Sequence, residues 1–192
     1  MINVPFSSEF YTVFPAPNSN ELISKIDDVC NTQQVDNDFF EWGRYCKVDR
    51  IPLIWQDFLD LFKPSLELLS KKLNKSFDYT MYDPWINLYK KGYYQEIHHH
   101  YSTQEKCEIS GVVFLTDPHR GASRFYFFNK HYAEMTIPLL RIMEKKNVDC
   151  EKRFIIPKAG DVLLFPSYML HGVTMHEIDQ PRTTVAFNIS LQ

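Results

Sequence analysis

From Asp78 onward the chain passes through six short runs dominated by aromatic and β-branched residues: "PWINLY", "EIHHHY", "ISGVVFLT", "SRFYFF", "DVLLFP" and "TTVAFNIS". Turn residues separate them. Runs of this length, repeated at intervals, are strands of an all-β sandwich or barrel, because each is too short to bury itself as a helix. The aromatic load, 15 Phe and 11 Tyr in 192 residues, points the same way. The segment 129–147 breaks the rhythm. It reads as a helix with Pro138 inside it, an insertion that either packs on the strands or contacts a substrate.

Upstream the texture is helical. In "NSNELISKIDDVC", Asn18, Ser19 or Asn20 can cap a helix whose Leu22, Ile26, Val29 and Cys30 share one face. In "IPLIWQDFLDLFKPSLELLSKKL" a second stripe runs through Phe58, Leu61, Phe62, Leu66, Leu69 and Leu73, and Pro64 should kink or split it. The expected plan is mainly β with flanking helices. It is a single domain over 1–192, in which helical support over 1–77 buttresses a β-core over 78–192.

Composition excludes several classes. The net charge of −3 advertises no nucleic-acid surface. The pairs Lys71/Lys72 and Lys90/Lys91 read as solvated faces. No stretch is long and apolar enough to span a bilayer, and "MINVPFSSEFYTVF" lacks a secretory signal pattern. The four cysteines form no C-x-x-C pair and read as thiols of a cytoplasmic protein. There is no Gly-rich phosphate loop and no G-x-S-x-G.

The chemistry concentrates in "EIHHHY". On a strand, residues i and i+2 share a face, so His98 and His100 point together and His99 points away. Two imidazoles on one face can hold one metal ion if a third ligand arrives. His171, in "GDVLLFPSYMLHGV", follows a buried strand and a proline and is the candidate. His119, His131 and His176 lack such context and read as surface or core polar residues.

The surrounding string resembles the 2-oxoglutarate, Fe(II)-dependent oxygenases, in particular their prolyl-hydroxylase-like branch. Tyr89, a turn at Gly92 and His98-x-His100 are similar in order to the family's strand, turn and H-x-D/E. "SGVVFLTD" is similar to the strand that follows, and "GDVLLFPSYMLHGV" to the strand delivering the distal histidine. Arg182, eleven positions after His171, stands where the family binds the distal carboxylate of 2-oxoglutarate. The likeness covers roughly residues 80–192 and is strongest to a subfamily frequent in phages and marine bacteria. It implies a jelly-roll (double-stranded β-helix) core, and Fe(II) on His98, His100 and His171, with O2 as co-substrate and 2-oxoglutarate on Arg182. A guanidinium fork suits a carboxylate, and Thr184, on the same strand face with Asn188 beyond it, can add a hydrogen bond. Tyr89 is a second donor, and Asn87 shares its face.

One position departs from the family. His100 stands where a carboxylate is usual. Three readings stay open: a three-histidine triad, a carboxylate supplied by Glu96, or water in that place with His100 behind it. A cupin-type site without 2-oxoglutarate is a rival, since Gly92, His98-x-His100 and Glu105, then Gly160, Pro166 and His171, nearly reproduce the two cupin motifs. Tyr168 stands where cupins carry glycine. A third reading is a non-catalytic jelly-roll module with structural Zn. The expected activity is hydroxylation of a protein or peptide side chain, prolyl-type, or of a small amino-acid-like molecule, with release of succinate and CO2. "SRFYFFNKHY" and the 129–147 insertion would then line the substrate cleft. Oligomeric state is not readable.

Overall fold

The structure is a computed structural model and describes residues 10–36, 46–74, 76–100, 107–131, 141 and 151–191. Among the described residues, the strands and helices follow in the order β1 (Thr12–Pro15), α1 (Ser19–Thr32), β2 (Asp49–Pro52), α2 (Trp55–Leu73), β3 (Tyr79–Tyr89), β4 (Gln95–His98), β5 (Ile109–Phe114), β6 (Phe125–Phe128), β7 (Lys152–Phe154), β8 (Asp161–Pro166), β9 (His171–Val173) and β10 (Arg182–Leu191). They build a six-stranded sheet, β1-β8-β5-β10-β3-β2, and a four-stranded sheet, β4-β9-β6-β7. Every pairing is antiparallel. This is the expected jelly-roll.

Strict alternation along the central strands divides the large sheet between two cores. Val113, Leu115, Val162, Leu164, Val185, Phe187 and Ile189 face the helices, where they meet Leu22, Ile26, Phe58, Phe62 and Leu66. Their neighbours Val112, Phe114, Leu163 and Phe165 face the small sheet and pack on Phe125, Phe127 and Val173. The period of two in the sequence is therefore a record of two buried faces, as a sheet covered on both sides requires. Phe187 anchors the helix side, its ring centroid 4.6 Å from Phe62 and 5.5 Å from Phe58.

The N-terminal third departs from the expected purely helical support. β1 adds to one edge of the large sheet on β8, and β2 adds to the other on β3. α2 is not split at Pro64: it runs unbroken from Trp55 to Leu73. Asp60, whose carbonyl loses its partner to the proline, is exposed, so water can serve it. The next carbonyl, Leu61 O, accepts a 2.9 Å hydrogen bond from Asn18 Nδ2. Asn18 does occupy the N-cap of α1, but its side chain makes no capping bond there. The proposed helix at 129–147 lies outside the described residues apart from Asn129–His131 and Arg141. No helix among the described residues is long and apolar enough to cross a membrane.

Candidate active site

The turn after β3 needs a left-handed residue, and Gly92 supplies it at φ 82°. The chain then returns as β4, in the opposite sheet. β4 pairs with β9, with Gln95 opposite Val173 and His98 opposite His171. Three residues on β4 thus span two on β9. The extra residue is a β-bulge, which re-aims side chains. It places Gln95 and His98 together on the inward face. Glu96, expected to share the face of His98, does not join the metal-competent group.

That group is His98, His100 and His171, whose ligand nitrogens all lie within 4.8 Å of one another. His98 Nδ1 donates to Glu96 O and His171 Nδ1 to Met169 O, each at 2.8 Å. Both bonds fix the tautomer with the lone pair on Nε2, the arrangement in which metal-binding imidazoles are held. His100 lies just past the end of β4, so the simple i, i+2 strand argument does not place it. Its backbone N–H donates to Ser167 O at 2.9 Å. Its ring stacks on Trp85, 5.9 Å between centroids and 14° between planes. Asn188 hydrogen-bonds the imidazole and is itself tied to Ser110 at 2.8 Å. Asn188 therefore stands at the metal end rather than the carboxylate end assigned to it from sequence.

Burial keeps all three imidazoles neutral. It pulls His98 down to about 4 and His100 to about 3, and His171 well below its ordinary value. The charge of Arg50 adds to the effect at His98. Neutral imidazole is the ligand form.

Across the gap, the large sheet presents the second half of the site. Antiparallel register sets Arg182 opposite Tyr89 and Thr184 opposite Asn87. All four are buried. The Arg182 guanidinium lies over the rings of Tyr89 and Phe114, 5.1 and 5.4 Å from their centroids, and donates to Ser123 Oγ at 3.4 Å. Among the described residues no carboxylate pairs with it. Burial lowers its pKa, and Tyr89 opposes the shift. Burial also pushes the Tyr89 phenol up to about 12, so it stays a proton donor. A buried cation facing neutral donors is a receptor for an anion.

Both halves line one pocket. Among the lining residues that sequence reasoning did not assign to the site are Trp85 and Gln95. Trp85 donates to Asn87 Oδ1 at 3.1 Å and carries the ring on which His100 rests. Gln95 accepts from Tyr89 OH at 2.9 Å and places its Nε2 3.3 Å from His98 Nε2, linking the two halves. Only the bulge brings Gln95 inward, and no residue type in "YYQEIH" announces it. His176 is a core polar residue, its Nδ1 accepting from Ser123 N–H and its Nε2 bonded to Gln180 O. Glu105 lies outside the described residues.

Residues 83–188 match the family model described as "Putative 2OG-Fe(II) oxygenase". The chain belongs to this family. Its members are 2-oxoglutarate-dependent enzymes, and the rival cupin reading gives way. No curated protein matches the chain in sequence. Solved structures of the same fold include a Pseudomonas putida prolyl-4-hydroxylase, at 10% identity, covering 96% of this chain and 94% of that one with a TM-score of 0.67. HygX from Streptomyces hygroscopicus, with nickel and 2-oxoglutarate bound, aligns at 14% identity over 94% and 82% with a TM-score of 0.65. The viral collagen prolyl hydroxylase of Paramecium Bursaria Chlorella virus-1, a 2-oxoglutarate complex, aligns at 13% over 93% and 94% with a TM-score of 0.60. At these identities they speak for the fold of this oxygenase.

Proposed function

We propose that this oxygenase hydroxylates a C–H bond of a protein or peptide side chain, prolyl-type, or of a small amino-acid-like substrate. His98, His100 and His171 hold Fe(II) as a three-histidine set. Arg182 receives the far carboxylate of 2-oxoglutarate, with Tyr89 and Thr184 donating beside it. The observation that carries this reading is the buried Arg182 without a carboxylate partner, lining the same pocket as the three clustered imidazoles. Neither a structural Zn site nor a cupin-type site gives that arginine a purpose.

Iron with 2-oxoglutarate and O2 supplies the oxidising power that turns substrate C–H into C–OH, with succinate and CO2 released. The protein's own part is placement and exclusion of water. Backbone carbonyls of Glu96 and Met169 orient two imidazoles, while Trp85, Asn188 and Ser167 hold the third. Phe125 and Phe165 crowd His171, with ring centroids 5.4 and 4.8 Å away, and keep that ligand dry. The neutral ligand set leaves iron with more positive charge than a set containing a carboxylate.

The substrate class draws on the fold shared with prolyl hydroxylases and with an enzyme solved with hygromycin B. Metal titration and succinate release test the site. His171→Ala should weaken Fe(II) binding by at least about 100-fold, the upper range for second-shell losses alone, and abolish succinate formation. Undiminished turnover by that variant would contradict the three-histidine assignment. Incubation with proline-rich peptides and with free amino acids, read as a mass increase of one oxygen, separates the two substrate classes.

A further inference from the structure

Arg182 is a wall of two cavities. Its inner side faces the metal pocket. Its outer side closes a second cavity, lined also by Thr116, His119, Ala122, Ser123, Arg124 and Ile156. Phe125, like Arg182, lines both. The outer cavity lies at the start of β6 and the start of β10, whereas the histidines sit at the far ends of β4 and β6, level with Phe127. The two cavities therefore approach the arginine from opposite sides.

Three features suit the outer cavity to traffic of a dicarboxylate. Among the described residues its lining holds two arginines and a histidine and no acidic residue. The partition is light: Arg182 is tied to the outer side by one long hydrogen bond, 3.4 Å to Ser123 Oγ. The Ser123 backbone is anchored by its N–H on His176 Nδ1 at 3.0 Å, so its hydroxyl can turn without moving the chain. Arg124 is exposed at the rim, with its guanidinium stacked 4.2 Å from the centroid of Phe154. A cation held there raises the local concentration of an approaching anion.

We propose that this outer cavity is a rear port, through which 2-oxoglutarate reaches Arg182 and succinate leaves while the substrate side of the metal pocket stays covered. The inference rests on the reading of Arg182 as the 2-oxoglutarate carboxylate site. A port changes rates and leaves affinity alone, since both directions of passage share one barrier, and that signature distinguishes it from a binding residue.

The test is stopped-flow binding of 2-oxoglutarate to the anaerobic Fe(II) protein, comparing the wild type with Ala122→Trp and Arg124→Glu. Ala122→Trp fills the cavity and should lower association and dissociation together by about fivefold or more, with Kd held within about twofold. Arg124→Glu should slow association by about threefold or more at low salt, with the difference shrinking as salt is added. Wild-type binding with unaltered rates in both variants overturns the port and leaves the functional reading standing. A raised Kd with unaltered association also overturns it, because the cavity would then act as part of the binding site. Failure of the wild type to bind 2-oxoglutarate overturns the functional reading and the port with it.

Discussion

Arg182 states the account in one side chain. A buried guanidinium with no carboxylate partner among the described residues costs folding free energy, and the proposed ligand role accounts for that cost. Arg182→Met should therefore leave the protein as stable as the wild type, or more stable, when 2-oxoglutarate is absent. The same change should weaken 2-oxoglutarate binding by about 3 kcal/mol, roughly 100-fold. Thermal melts with and without the co-substrate check both halves. The imidazoles give a second prediction. His98 has a folded value of about 4 against an ordinary 6.5. Between those pH values the unfolded chain carries more protons than the folded one, so stability rises with pH. The contribution is whole above about 6.5 and is lost as the pH falls toward 4. Melts of the metal-free protein at pH 7 and pH 5 should show the lower Tm at pH 5, and a His98→Gln variant should lose part of that difference. Much at this scale was legible in the sequence. His98, His171, Tyr89 and Arg182 carry chemistry that few structural roles demand together. Gln95 was not legible, because a bulge moves it inward and nothing in its residue type records a bulge.

At the scale of elements, β5 and β10 show how closely the backbone is packed. Gly111 pairs with Phe187 across these strands, and a Cβ at position 111 would stand 2.1 Å from Phe187 Cζ. That ring is locked against Phe58 and Phe62 and cannot yield cheaply. Gly111→Ala should destabilise the protein by about 1–3 kcal/mol, the usual cost of overpacking, read as a lowered urea midpoint with the slope unchanged. The six β-runs and both helices were readable, because clusters of aromatic and β-branched residues between turn residues, and stripes over several turns, stand out from local noise. Four other strands were not. β1, β2, β7 and β9 hold three or four residues each, and partners distant in sequence fix them as strands. Pro64 misled for a related reason. Its penalty is met by an exposed carbonyl at Asp60 and by the packing of the flanking turns, both of which belong to the folded state.

The whole molecule divides its labour between two interfaces. The helices and the large sheet form an unbroken apolar layer through Phe62, Ile86, Val113, Val185 and Phe187. The gap between the sheets has an apolar cluster of its own, with Phe114, Phe125, Phe127 and Phe165, and holds the pocket beside it. The small sheet brings His98 and His171 as a cross-strand pair, and the large sheet brings Arg182 and Tyr89 as another. Closing the sandwich faces one pair with the other. On the proposed reading, the fold is the device that sets a metal centre against a carboxylate receptor. The most direct test of that claim is spectroscopic. Metal-free protein is loaded with Fe(II) under anaerobic conditions, 2-oxoglutarate is added, and the visible spectrum is recorded. A weak charge-transfer band that saturates with 2-oxoglutarate, and that needs much higher concentrations in Arg182→Met, is the predicted result. Tight Fe(II) binding with no band at any 2-oxoglutarate concentration would contradict the account.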